Sequence, residues 1–107
     1  MSSGAAGSLA ETYPQLRRLF GAYFHEDWPA FHETPDDVIR QYRADASASL
    51  LAETADQLRG LLGRGLSEAE LERALRYEFL SSRVPSLGGE SNRTWLEEVL
   101  RLLDAPA

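Results

Sequence analysis

The chain has no lysine, no cysteine and a single methionine, and no apolar run in it is long enough to span a bilayer. Without cysteine there are no disulfides and no thiolate zinc site, which fits a reducing cytoplasm. Its apolar stretches fall well short of the ~20 residues of a membrane helix, and the N-terminus lacks the hydrophobic core of a signal peptide. No membrane partner is expected, therefore, and the expected location is cytoplasmic. Because lysine is missing, all 11 basic residues are arginine, set against 17 acids for a net charge of −6. A surface of that sign repels phosphate backbones, which argues against nucleic acid as a partner. It would attract and orient a basic protein instead, although mild acidity also serves plain solubility.

What is present is helical pattern. At 107 residues the chain fits one domain. No segment alternates apolar and polar residues as a half-buried strand would, and no fixed-period repeat is visible. The opening residues are small and flexible in character, so residues 1–12 are expected to be a flexible segment and 13–104 a helical domain. A first helix is expected over about Pro14–Phe24, with Leu16, Leu19, Phe20, Tyr23 and Phe24 on one face. A second should start at Thr34, whose hydroxyl can cap it, with Pro35, Asp36 and Asp37 in its first turn. A third is expected from about Ala46 to Leu62 on a seam of Leu51, Ala55, Leu58, Leu61 and Leu62, with Gly63 as its stop. Ser67 and Glu70 read as a capping box, and Leu66 and Leu71 as its hydrophobic staple, for a fourth. A fifth runs from about Asn92 to Leu103 and buries Trp95, Leu96, Val99, Leu100 and Leu103. Five short helices with short connections predict an all-α compact bundle.

The densest chemistry lies in Tyr23-Phe24-His25-Glu26-Asp27-Trp28-Pro29, where aromatics, a histidine and two carboxylates crowd together before a proline expected to stop the helix. His25 and His32 are the only histidines. They sit seven residues apart and match no metal-binding spacing, and a metal site needs three or four converging ligands. No GxSxG elbow, cysteine nucleophile or phosphate-binding lysine is present, so no catalytic residue is assigned and no cofactor or metal is expected. Between His25 and Asp37 lie five acids (Glu26, Asp27, Glu33, Asp36 and Asp37) and no arginine, interleaved with Trp28 and Phe31. Aromatics set among charges suit a protein interface. The plainer reading is a packed Trp28 beneath solvent-facing acids, and the two readings are compatible. Glu68, Glu70 and Glu72 are expected to complement the dipole of the fourth helix, and Glu97 and Glu98 to pair along the fifth with Arg93 and Arg101.

Tyr13-Pro14-Gln15-Leu16 followed by Leu19 to Trp28 resembles the opening of the contact-dependent growth inhibition immunity proteins. The likeness continues through Thr34-Pro35-Asp36-Asp37-Val38-Ile39, Gly65 to Leu71, and Thr94-Trp95-Leu96, and it spans about residues 13–103. It implies a small cytosolic antidote that binds the toxic C-terminal domain of a large secreted effector. Inhibition would be by stoichiometric occlusion, with a nuclease as the expected toxin type and a monomer as the expected state. The stretch from Tyr77 to Ser91 departs from the family pattern, and a loop there could set partner specificity. A signature shared among members with different partners would maintain the fold, so Tyr23, Phe24, His25, Trp28 and Trp95 are expected to be mainly structural. The five acids are then the candidate toxin-binding residues. The rival readings are an acidic helical adaptor for a non-toxin partner and a metal-assisted hydrolase built on His25 and His32.

Overall fold

The computed structural model describes residues 8–106, and no strand occurs among them. Seven helices follow in order: α1 (Leu9–Thr12), α2 (Pro14–Arg18), α3 (Trp28–Phe31), α4 (Pro35–Asp45), α5 (Ala48–Leu62), α6 (Glu68–Arg73) and α7 (Asn92–Asp104). Two of them widen at their ends: α2 continues as a π-turn over Leu19–Tyr23, and α6 as a π-turn over Ala74–Glu78. A 3-10 turn, Pro85–Gly88, precedes α7. The all-α, single-domain expectation holds, with the five expected helices corresponding to α2, α4, α5, α6 and α7.

Two short helices were not expected. Residues 1–7 of the anticipated flexible lead lie outside the described residues, but its end folds as α1. Ser8 and Glu11 make a reciprocal capping box there, and Glu78 accepts the Ala10 N–H at 3.1 Å. The second, α3, has Pro29 in its first turn. That proline opens a helix rather than stopping one, because its missing N–H falls where no intrahelical partner exists.

Local chemistry sets the other boundaries. Thr34 caps α4 by accepting the Asp37 N–H at 3.2 Å. Ser47 accepts from the Leu50 N–H at 3.2 Å, which starts α5 two residues later than hydrophobic spacing alone suggests. Gly63 does cap α5, but in ordinary helical geometry; the left-handed residue is Gly65, at φ 68°. The Ser67–Glu70 capping box opens α6 as expected.

The core is one continuous cluster. Leu16, Leu19, Phe20 and Phe24 meet Val38, Ile39 and Tyr42 of α4, Leu58 and Leu61 of α5, Leu75 and Phe79, and Leu96 and Val99 of α7. On α5 the buried positions are Thr54, Ala55, Leu58 and Leu61, whereas Leu51 and Leu62 are only partly covered. Thr54 belongs inside because its hydroxyl donates to the Leu50 carbonyl and also pairs with the Tyr42 hydroxyl at 2.8 Å. The backbone of α7 is gripped at both ends by other helices. Glu68 of α6 accepts from the Asn92 and Arg93 N–H groups, while Arg43 of α4 donates to the carbonyls of Leu102 and Ala105.

Candidate functional site

The aromatic and acidic run forms a corner between α2 and α4. The π-turn ends at Phe24, whose backbone leaves helical geometry at φ −101° and ψ 44°. The Asp27 N–H donates to Nδ1 of His25 at 3.1 Å, which folds the chain tightly into α3. Beneath the corner is an aromatic knot. Trp28 meets Phe24 edge-on at 5.7 Å, Phe24 meets Trp95 edge-on at 5.2 Å, and Phe20 lies against Phe24, Phe79 and Trp95. Phe24 is fully buried and Trp95 nearly so, whereas Trp28 and Tyr23 are half-buried. The Tyr23 hydroxyl donates to Asp45 at 2.7 Å, and its ring meets Tyr42 edge-on. Burial, reinforced by that hydrogen bond to a carboxylate, pushes the Tyr23 phenol up to about 12.

Above the knot lie the five candidate acids. Glu26 and Asp27 are exposed in the corner, Glu33 is exposed after α3, and Asp36 and Asp37 are half-buried in the first turn of α4. Asp37 pairs with Arg40 at 2.8 Å, one turn on, so its charge is partly answered within the chain. The hydrogen bond to Glu98 pushes the Arg101 guanidinium pKa up, and Asp36 adds the smallest of the contributions. Phe31, at the end of α3, has 71% of its surface exposed, and its ring meets His25 edge-on at 6.1 Å. The segment thus exposes an apolar ring together with three exposed acids, Glu26, Asp27 and Glu33. Among the described residues, no group of three or more histidine, cysteine or carboxylate side chains could hold a metal ion.

Three features were missed at the sequence level. Glu68 does not merely complement its own helix dipole: its carboxylate bonds Ser91, Asn92 and Arg93 of the neighbouring helix start. Glu72 likewise leaves its own helix to accept the Ser86 hydroxyl at 2.8 Å. Leu80, just after the α6 π-turn, takes a left-handed conformation at φ 56° with 49% of its surface exposed. Tyr77 one turn earlier is 63% exposed. Their spacing off the buried stripe of Leu71, Leu75 and Phe79 was the available signal for the last feature; cross-helix bonds leave none in a linear sequence.

Among the described residues no helix is long and apolar enough to cross a membrane. No curated protein matches the chain at significant similarity. A solved structure described as the CdiA-CT/CdiI complex from Y. kristensenii 33638 contains a chain of the same fold, with a TM-score of 0.80 at 23% identity, covering 88% of this chain and all of that one. A family model described as CdiI immunity protein matches residues 12–103, which takes in α2 through nearly all of α7 and the whole acidic corner. The chain belongs to the CdiI immunity protein family.

Proposed function

We propose that this protein binds the toxic C-terminal domain of its cognate contact-dependent growth inhibition effector and neutralises it by one-to-one occlusion, acting in the cytoplasm without catalysis or cofactor. The observation that carries this reading is the family match over residues 12–103. It is supported by the Y. kristensenii relative, which was crystallised in a CdiA-CT/CdiI complex. The chemistry of the corner agrees: Glu26, Asp27, Glu33, Asp36 and Asp37 lie in the same short segment as the exposed Phe31, and the whole chain carries a net charge of −6. A toxin domain that binds nucleic acid would present a basic surface, which such a corner attracts and orients. Nuclease toxins are therefore the favoured partner class.

The test is co-expression with the C-terminal domain of the cognate effector, to be sought in the reading frame next to that of this chain. Growth rescue and co-purification at one-to-one stoichiometry are expected. Rescue without a stable complex would point to another mode of protection. Failure of both would return the chain to the adaptor reading, with a non-toxin partner.

A further inference from the structure

Among the described residues two buried side-chain nitrogens lack a hydrogen-bond partner, Nε of Arg83 and Nε1 of Trp95, and they belong to side chains that stack on each other. Buried donors are nearly always paired, because losing water without a replacement costs free energy. The Arg83 guanidinium lies over the Trp95 ring, 4.9 Å from its centroid. Trp95 is 7% exposed, and its ring serves the core through Phe20 and Phe24. The N–H is left without a task there. Both side chains line one groove of about 390 Å³, together with Glu90, Ser91, Thr94 and Glu98. That is room enough for a side chain or a short piece of peptide.

The backbone around this groove is fixed. The Ser81 hydroxyl donates to the Arg83 carbonyl at 2.7 Å, and the start of α7 is held by Ser91 and Glu68. The guanidinium itself is freer. Its tie to Glu90 spans 3.4 Å, longer than a well-made N–H···O bond, so it can turn aside from the indole at small cost. Charge and hydrogen bonding then select the occupant. The lining holds two carboxylates, Glu90 and Glu98, against one cation, Arg83, so it disfavours an anion. A cation would leave the two N–H donors unanswered. What fits is a neutral group with an acceptor for those donors and a donor for a carboxylate, which is an amide. We infer that the groove receives an amide group, main-chain or carboxamide, from a loop of the toxin domain. Its carbonyl accepts from Trp95 Nε1 and Arg83 as the guanidinium turns aside, and its N–H donates to Glu90 or Glu98. This rests on the toxin-binding reading and names a contact made by residues other than the five acids.

The experiment follows the indole N–H signals of the isotope-labelled full chain by NMR as the cognate toxin C-terminal domain is added. Two tryptophans give two such signals, and Trp28→Phe assigns the one from Trp95. At saturation the Trp95 proton should move downfield, as a proton does on entering a hydrogen bond to a carbonyl. Thr94→Leu then tests the groove itself. Thr94 is exposed on α7, and leucine suits a helix better than threonine while placing uncharged bulk in the groove, so the thermal midpoint should hold. Its affinity for the toxin domain should fall about fivefold or more. An unmoved Trp95 signal in the saturated complex, or a smaller loss in Thr94→Leu, would overturn the amide site and leave toxin binding intact. Should Thr94→Leu unfold, the Trp95 signal of the wild-type chain decides alone. A wild-type chain that does not bind the domain would overturn both readings.

Discussion

Replacing Glu68 with alanine should destabilise the fold out of proportion to its exposed position. The Glu68 carboxylate accepts the Asn92 N–H at 2.7 Å, the Ser91 hydroxyl at 2.9 Å and the Arg93 N–H at 3.1 Å. It thereby satisfies two amides that the first turn of α7 leaves without intrahelical partners. A lost helix cap costs about 1 kcal/mol, and solvent that reaches this carboxylate can replace part of what is lost, so about 2 kcal/mol is expected for the set. In a domain of this size that lowers the thermal midpoint by roughly 10 °C. The effect carries a pH signature. The backbone hydrogen bond from Asn92, ahead of the one from Arg93, holds the Glu68 carboxyl below its ordinary value of 4.5. A group whose folded pKa is depressed stabilises the fold above its unfolded pKa, and that contribution is lost as pH falls through the folded value. Melting curves of wild type and Glu68→Ala should therefore lie far apart near neutral pH and converge as the pH falls below the ordinary carboxylate range. Glu70 and Glu98, also held low, are present in both proteins and cancel in the difference. Equal stability near neutral pH, or a gap that stays undiminished in acid, would refute the reasoning.

Phe20→Ala should cost about 3–5 kcal/mol and leave little folded protein in a urea titration, because a fully buried ring touching three aromatics is removed. Gly21→Ala should lower the urea midpoint, since its new methyl meets the Phe79 carbonyl at 3.0 Å, whereas Gly88→Ala enters open space and should leave the midpoint nearly unchanged. The triple change Glu33→Ala, Asp36→Ala and Asp37→Ala should slow association with the toxin domain and flatten its salt dependence in stopped-flow mixing. Its fold should survive, because the exposed Asp37–Arg40 pair contributes little. Unchanged affinity would remove the acidic corner from the interface.

The helices legible in the sequence are those written in local grammar. Ser67 with Glu70, and Thr34 before Pro35, announce α6 and α4 because capping needs only residues three apart. The same grammar in Ser8 and Glu11 caps α1, although the small residues ahead of it give that stretch the composition of a flexible lead. The π-turns left no trace. Widening a helix by one residue per turn barely shifts Leu16, Leu19, Phe20 and Phe24 around their common face, so the apolar pattern reads as an ordinary helix. Pro29 read as a stop because proline opens a helix as readily as it ends one, and the sequence alone does not say which. The acids of the corner were legible as a group because they are close in sequence. Leu80 lies about fifty residues further on, and the Ser82–Phe24 hydrogen bond and the close approach at Gly21 that pack its segment on α2 have no local sign in the sequence.

The double grip on α7 has a consequence for how the molecule opens. Helix ends ordinarily fray, and their amides trade protons with water long before the rest of the protein yields. Here the amides of Asn92 and Arg93 are held by α6, while the last carbonyls are held by Arg43 of α4. Loosening either end requires a neighbouring helix to let go as well. The first amides of α7 should therefore exchange more slowly than helix-start amides that only water solvates.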